Sequence, residues 1–169
     1  LQPVLRGALL ELRPLVPADF DALYAVSSDP LLWEQHPNND RWKPDVFRKF
    51  FDAALESKCA FVIQDAKSGA VIGSSRYYDW DAAQRQVAIG FTFLARAYWG
   101  GVYNRELKSL MLDHAFRSCG AVIFHVGENN RRSRRAMEKI DGVLVGREER
   151  VVDGKPNVSV VYRINKPLC

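Results

Sequence analysis

Apolar and polar positions alternate in ALLELRPL, residues 8–15, which predicts a first strand. The period then changes. In VPADFDALYAVSSDP, residues 16–30, Phe20, Leu23, Tyr24 and Ser27 fall at helical spacing. Pro17 suits a first helical turn, Asp19 lies near the positive helix end, and Pro30 stops the run. After the irregular LLWEQHPNNDRW, Lys43-Pro44-Asp45 opens a second helix to about Ser57, with Val46, Phe47, Phe50, Phe51 and Ala54 as its apolar stripe. Cys59–Asp65 and Ala70–Tyr78 read as a hairpin over Ser68-Gly69, and Gln86–Leu94 as a further strand. A third helix, from about Asn104 to Ser118, carries Leu107, Leu110, Met111 and Ala115 in register and stops at Gly120. AVIFHVG, residues 121–127, is a short buried strand, and NNRRSRRAMEKIDG, residues 129–142, a fourth helix. VLVGREERVV and NVSVVYRIN close the chain as a hairpin over Asp153-Gly154.

The strand–helix–strand unit around residues 86–126 needs a parallel pair with a right-handed crossover. The other connections suit antiparallel pairing. The expected fold is therefore α/β (α+β): a mixed, mostly antiparallel sheet of about seven strands with helices on its faces. With 169 residues, of which 47% are hydrophobic, the chain fits one domain, 1–169.

Charge changes this picture little. A net charge of +4 admits an anionic ligand without demanding one. Arg131, Arg132, Arg134 and Arg135 form a basic flank with little aromatic interleaving, so a nucleic-acid-binding reading ranks last and no nucleic acid is expected as a partner. Cys59, Cys119 and Cys169 are odd in number and far apart, which argues against a disulfide framework and a Cys-x-x-Cys metal site; reduced cysteines in the cytoplasm are expected. The first ten residues lack a signal-peptide pattern, no apolar stretch approaches the length of a membrane span, and no His has metal-ligand spacing.

The candidate chemistry lies in two places. In YWGGVYNRELK, residues 98–108, a glycine pair stands between a strand end and a helix mouth. The first helical amides have no partner in the helix and the dipole adds positive character, so Gly100 and Gly101 either cap a helix or cradle an anion, with Arg96 and Arg105 alongside. In the fourth helix Asn130 suits the N-cap, and Ser133, Ala136, Met137 and Ile140 form the stripe that faces the sheet. A serine heading that stripe either bonds its own helix or serves a ligand. His36 lies in the irregular segment, His114 on an apolar helical stripe that suits a core residue, and His125 on a buried strand. Asp79 and Asp81 are turn residues or a general base.

These segments together resemble the GCN5-related N-acetyltransferases, in particular the Rim-type branch that acetylates protein N-termini and small amines. LRPLVPADFDAL is similar to that branch's first strand and helix, VAIGFTFLARAYWGGVYNRELKSLMLDHAF to its acetyl-CoA segment, and Asn130, Ser133, Glu138, Lys139 and Gly142 to its Asn-x-x-Ser helix. The resemblance implies a sheet splayed between its fourth and fifth strands, the one ending near Leu94 and Ala121–Gly127. It implies a pantetheine arm bonded to the backbone of Phe93 and Leu94, and a pyrophosphate on the loop Trp99, Gly100, Gly101, Val102, Tyr103, Asn104 and Arg105. Asn130 is then placed at the arm or its helix neighbour, and Ser133 near the thioester sulfur. Trp33, Glu34, His36, Trp42 and the segment from Tyr77 through Asp79 to Asp81 are placed on the acceptor side.

The chain departs from the family pattern at five positions. The loop begins with Trp99, and Val102 and Asn104 stand where relatives keep small residues. Met137 replaces a tyrosine acid, which leaves Ser133 as candidate general acid, and Ala88 replaces a strand glutamate, which leaves Asp79 and Asp81 as weak candidates for the base. The function implied is acetyl-CoA-dependent transfer to a primary amine, small molecule or peptide N-terminus, by a monomer or homodimer without metal. The alternative is a catalytically weak acyl-CoA-binding regulatory module.

Overall fold

Among the described residues eight strands form one sheet in the order β1-β2-β3-β4-β5-β6-β8-β7. They are β1 (Leu5–Arg6), β2 (Leu10–Pro14), β3 (Ala60–Asp65), β4 (Val71–Asp81), β5 (Gln86–Leu94), β6 (Ala121–Gly127), β7 (Val143–Val152) and β8 (Lys155–Asn165). The helices are α1 (Phe20–Ser27), α2 (Pro44–Ser57), α3 (Val102–Ala115) and α4 (Arg131–Lys139). The computed structural model describes residues 2–152 and 154–168, so Asp153 of the predicted turn and Cys169 lie outside the described residues. No described helix is long and apolar enough to cross a membrane.

Every pairing is antiparallel except β5 with β6. The strand count is eight rather than about seven because β1 folds back on β2 ahead of the first predicted strand. The first helix opens as a 3-10 turn, Pro17–Asp19. There the Asp19 carboxylate is buried, bonding the Val16 N–H at 2.9 Å and the Arg13 guanidinium at 2.7 Å. Arg13 thus supplies the countercharge that a buried carboxylate requires.

One core cluster lies under α3 and α4, with Leu10, Leu12, Ile63, Leu107, Met111 and Met137. The second lies under α1 and α2, with Leu23, Trp33, Phe47, Phe51, Val62 and Phe93. Strands buried on both faces explain why Phe61, Val62 and Ile63 run apolar without alternation.

The sheet opens where its pairing changes sense. β5 and β6 pair only through Gln86–Ala88 and Ala121–Ile123. Beyond that point β5 follows β4 to Leu94 opposite Gly73, while β6 follows β8 to Gly127 opposite Ser159. Two details reinforce the divergence. The β4–β5 register shifts between Ser74 and Arg76, and Phe91 in the facing stretch of β5 has φ 52, a left-handed bulge residue. At Gly73 a Cβ would stand 2.0 Å from the Phe93 carbonyl oxygen, so only glycine admits this approach of β5 to β4.

Candidate active site

The split holds a cavity of about 630 Å³, walled by β5, β6, the mouth of α3 and one side of α4. The α3 mouth is built mainly from backbone. A 3-10 turn, Arg96–Tyr98, follows β5, and Tyr98 anchors it with its hydroxyl on Asp65 at 2.8 Å. The Trp99 indole N–H donates to the Leu94 carbonyl at 2.9 Å. Gly100 and Gly101 take φ of 109° and 115°, and a Cβ on either would meet nothing within 4 Å. Both therefore need glycine for conformation, and both leave open space before the helix. The first intrahelical bond runs from the Arg105 N–H to the Gly101 carbonyl at 2.9 Å, so the amides of residues 102–104 have no helical partner, and Gly101 offers no side-chain cap. Val102 and Asn104 lie inside α3 with ordinary φ, because the left-handed positions fall on the two glycines just before them.

From α4, Asn130 is 3% exposed and accepts the Ser133 N–H at 3.2 Å, the N-cap bond expected of it. Ser133 faces the cavity, as do Arg131, Arg132, Arg135 and Lys139. Arg132 stacks 3.6 Å from the Trp99 ring centroid, and its Nη1 is buried without a partner. Arg134 turns away, donating to the Tyr162 hydroxyl and the Glu128 carbonyl.

The irregular segment before α2 crosses the end of β6. A Cβ at Gly127 would stand 2.5 Å from the Pro37 ring, so the missing side chain sets how closely the segment packs. That packing brings Gln35 and His36 into the cavity wall. Burial, then the charges of Arg41 and Arg132, push the His36 imidazole down to about 3, and its Nδ1 accepts the Asn38 N–H at 2.9 Å.

A polar relay reaches the cavity from β6. His125 faces it, with Nδ1 at 2.7 Å from the Tyr78 hydroxyl and Nε2 at 3.4 Å from the Glu148 carboxylate. Arg150 extends the relay, 3.2 Å from Glu148 and 3.7 Å from Asp79. Lys108 enters from α3, buried, with its ammonium 3.1 Å from the Thr92 hydroxyl; burial pushes it down to about 8. Among the described residues no group of three or more His, Cys, Asp or Glu can hold a metal ion.

The cavity brings together Phe93, Leu94, Trp99, Gly100, Gly101, Asn104, Arg105, Asn130, Ser133 and, from the acceptor set, His36. Val102 is 60% exposed at the helix mouth, and Tyr103 packs against Tyr98. Trp33 is a core residue, 2% exposed, whose indole N–H donates to the Ser27 carbonyl. Trp42 is exposed and its main-chain oxygen accepts the Tyr24 hydroxyl. Tyr77 donates its hydroxyl to the Met111 carbonyl at 2.6 Å. Glu34, Asp79 and Asp81 stand outside the cavity, with Asp81 capping the turn at Gln84. Arg96 is tied to Asp29 rather than to the glycine loop. His114 is half-buried and its Nδ1 is unpartnered, unlike the satisfied core residue expected.

Sequence reasoning missed Lys108 and the His125–Glu148 pair. Lys108 carried a faint signal, a charge between Leu107 and Met111 on a buried helical stripe. Glu148 carried none, because the hairpin that delivers it is remote in sequence.

The acetyltransferase (GNAT) domain family model matches residues 10–143. Among solved structures the fold is similar to a GCN5-related N-acetyltransferase from Brucella melitensis, with a TM-score of 0.83 and 21% identity, over 98% of this chain and 79% of that one. It is also similar to Mycobacterium smegmatis RimJ in complex with CoA-disulfide, with a TM-score of 0.71 and 20% identity over 97% and 86%. A spermidine N-acetyltransferase from Vibrio cholerae, in complex with CoA and spermine, gives 0.69 and 19% over 94% and 96%. None of the curated proteins compared matches the chain.

Proposed function

The chain belongs to the GNAT acetyltransferase family, and on that premise we propose that residues 1–169 act as one N-acetyltransferase domain of Rim type, moving acetyl from acetyl-CoA to a primary amine. One observation carries this reading: the glycine loop with its free helix amides and the His125 relay open onto the same cavity.

The residues present fit coenzyme A. Amides 102–104 and the positive end of α3 suit a diphosphate, and Arg105, Arg131, Arg132 and Arg135 surround the approach. The edge of β5 that β6 leaves uncovered at Phe93 and Leu94, where only the Leu94 carbonyl is engaged by the Trp99 indole, suits an extended pantetheine arm, with Asn130 and Ser133 opposite. When bound, the cofactor supplies an acetyl group already activated as a thioester.

The chain's own task is to hold the amine and move its proton. With the imidazole proton on Nε2, beside Glu148, His125 Nδ1 is the acceptor for the Tyr78 hydroxyl 2.7 Å away. In this tautomer the amine proton passes to the Tyr78 oxygen as the tyrosine proton moves to Nδ1. Imidazolium forms beside Glu148, which stabilises it. Burial holds the Tyr78 phenol above its ordinary pKa, so it hands the proton on rather than ionising alone. Asp79 acts at one remove, holding Arg150 against Glu148. Ser133 is the proton donor to the departing thiolate, a role that a good leaving group makes minor.

The test is thiol release from acetyl-CoA against a panel of amines, amino acids and short peptides. Release that depends on an acceptor is expected. Coenzyme A binding without such release overturns transfer and favours an acyl-CoA-binding module.

A further inference from the structure

We infer that Arg41 and Arg76 form a carboxylate-binding subsite for the acceptor, so that the substrate is an amine that also carries a carboxylate. The inference rests on the transferase reading above and narrows it.

Both arginines are buried, Arg41 at 9% and Arg76 at 8% exposure. Neither forms an ion pair or a side-chain hydrogen bond with any described residue, and the Arg76 Nε is sealed without a partner. They are also close enough to repel. Burial and the neighbouring Arg76 push Arg41 down to about 10, with Asp40 offsetting this only in part. Two buried like charges with no counterion are costly. The surroundings soften that cost without supplying an anion. Arg76 lies 3.5 Å from the Phe91 ring centroid, and Arg41 lies 4.6 Å from Phe50 and 5.5 Å from Trp33. Aromatic faces of this kind orient guanidinium planes and leave their edges free for a planar anion.

The location fits the acceptor rather than the cofactor. The pair stands on the sheet face covered by α1 and α2, with Phe50, Trp33 and the second core cluster. The glycine loop opens at the mouth of α3, on the other face. Phe91, whose ring Arg76 covers, is itself a cavity wall, and its left-handed bulge sets where that ring stands. The Tyr78 ring lies 5.0 Å from Phe91, so the subsite adjoins the relay that takes the amine proton. A carboxylate on the arginines and an amine at the relay describe one small amino acid. Lys108, Arg132 and neutral His36 add no negative charge to this wall, which disfavours a polyamine.

The experiment compares the common amino acids as free acids and as amides in the thiol-release assay, with wild type, Arg41→Gln and Arg76→Gln. At least one free acid should exceed its amide in kcat/KM by about 10- to 100-fold, the worth of a charge-assisted pair, and the ratio should collapse toward one in either variant. Amides or polyamines as the better substrates, or an equal loss on both in the variants, overturns the subsite and leaves transfer standing. If no acceptor releases thiol, the transferase reading fails. The subsite is then judged by melting with N-acetylglycine against N-acetylglycinamide: stabilisation by the acid alone, lost in Arg76→Gln, supports it, and equal shifts overturn it. Melting without ligand adds a further check. Arg41→Met and Arg76→Met should melt no lower than wild type, because they remove unpaired buried charge; a marked fall makes the pair structural and overturns the inference.

Discussion

The two ends of the cavity are built differently. The α3 mouth is a main-chain device, in which two glycines at positive φ and three free amides come from one stretch of five residues. The acceptor end is a side-chain device. The residues proposed for it, of which His125 lines the cavity and Arg41, Arg76, Tyr78 and Glu148 stand behind its wall, come from the α1–α2 connection, β4, β6 and β7. A backbone site tolerates wide change in side chains, which explains how Val102 and Asn104 stand in α3 without disturbing it. A side-chain site depends on each residue and on the packing that aims it.

That division can be broken by experiment. The largest effect is expected from Gly101→Glu, which puts a carboxylate where a diphosphate would rest. Coenzyme A affinity should fall by at least about 100-fold by calorimetry, since opposed like charges cost several kcal/mol. Gly101→Ala carries the same backbone strain without the charge and should retain most of the binding. If alanine is as harmful as glutamate, loop shape rather than charge controls the site.

Lys108 stands between the two ends. Its pKa is pushed down to about 8 from an ordinary 10.5, so between these values the unfolded chain holds more protons and stability rises with pH. Below pH 8 the buried ammonium costs roughly 3 kcal/mol. Lys108→Met should recover much of that, and its melting temperature should lose the rise between pH 8 and 10. A variant that melts lower at pH 7 would mean that the Thr92 bond outweighs desolvation.

His125→Gln should lower kcat by about 100-fold, in the range of a lost general base, with acetyl-CoA affinity nearly intact. Equal losses in both would mean that the relay shapes the cofactor cleft as well. Ser133→Ala is the smallest change, about a fivefold loss of turnover, the worth of one ordinary hydrogen bond. No loss would return the hydroxyl to a structural place on its helix.

Most of the fold was legible because its signals are local. Helical stripes such as Phe47, Phe51 and Ala54 and the turn at Ser68-Gly69 depend on neighbours within a few residues. The glycine loop was legible for the same reason. The acceptor side was not. Trp33 was expected at the cleft, yet packing drew it into the core, where the Ser27 carbonyl satisfies its indole. Nothing in the sequence near His125 announces Glu148, because their meeting depends on β8 lying between β6 and β7.

The sequence by itself determined the strands and helices, the parallel crossover and the anion-suited helix mouth, since periodicity, turn chemistry and unpaired helix amides act over short range. Only the tertiary structure decided where β5 and β6 part, which histidine faces the cavity, and that Arg41 and Arg76 are buried side by side. Those outcomes depend on strand register and on side chains brought together from distant segments, where the free energy of burial belongs to the assembled site and to no single stretch of chain.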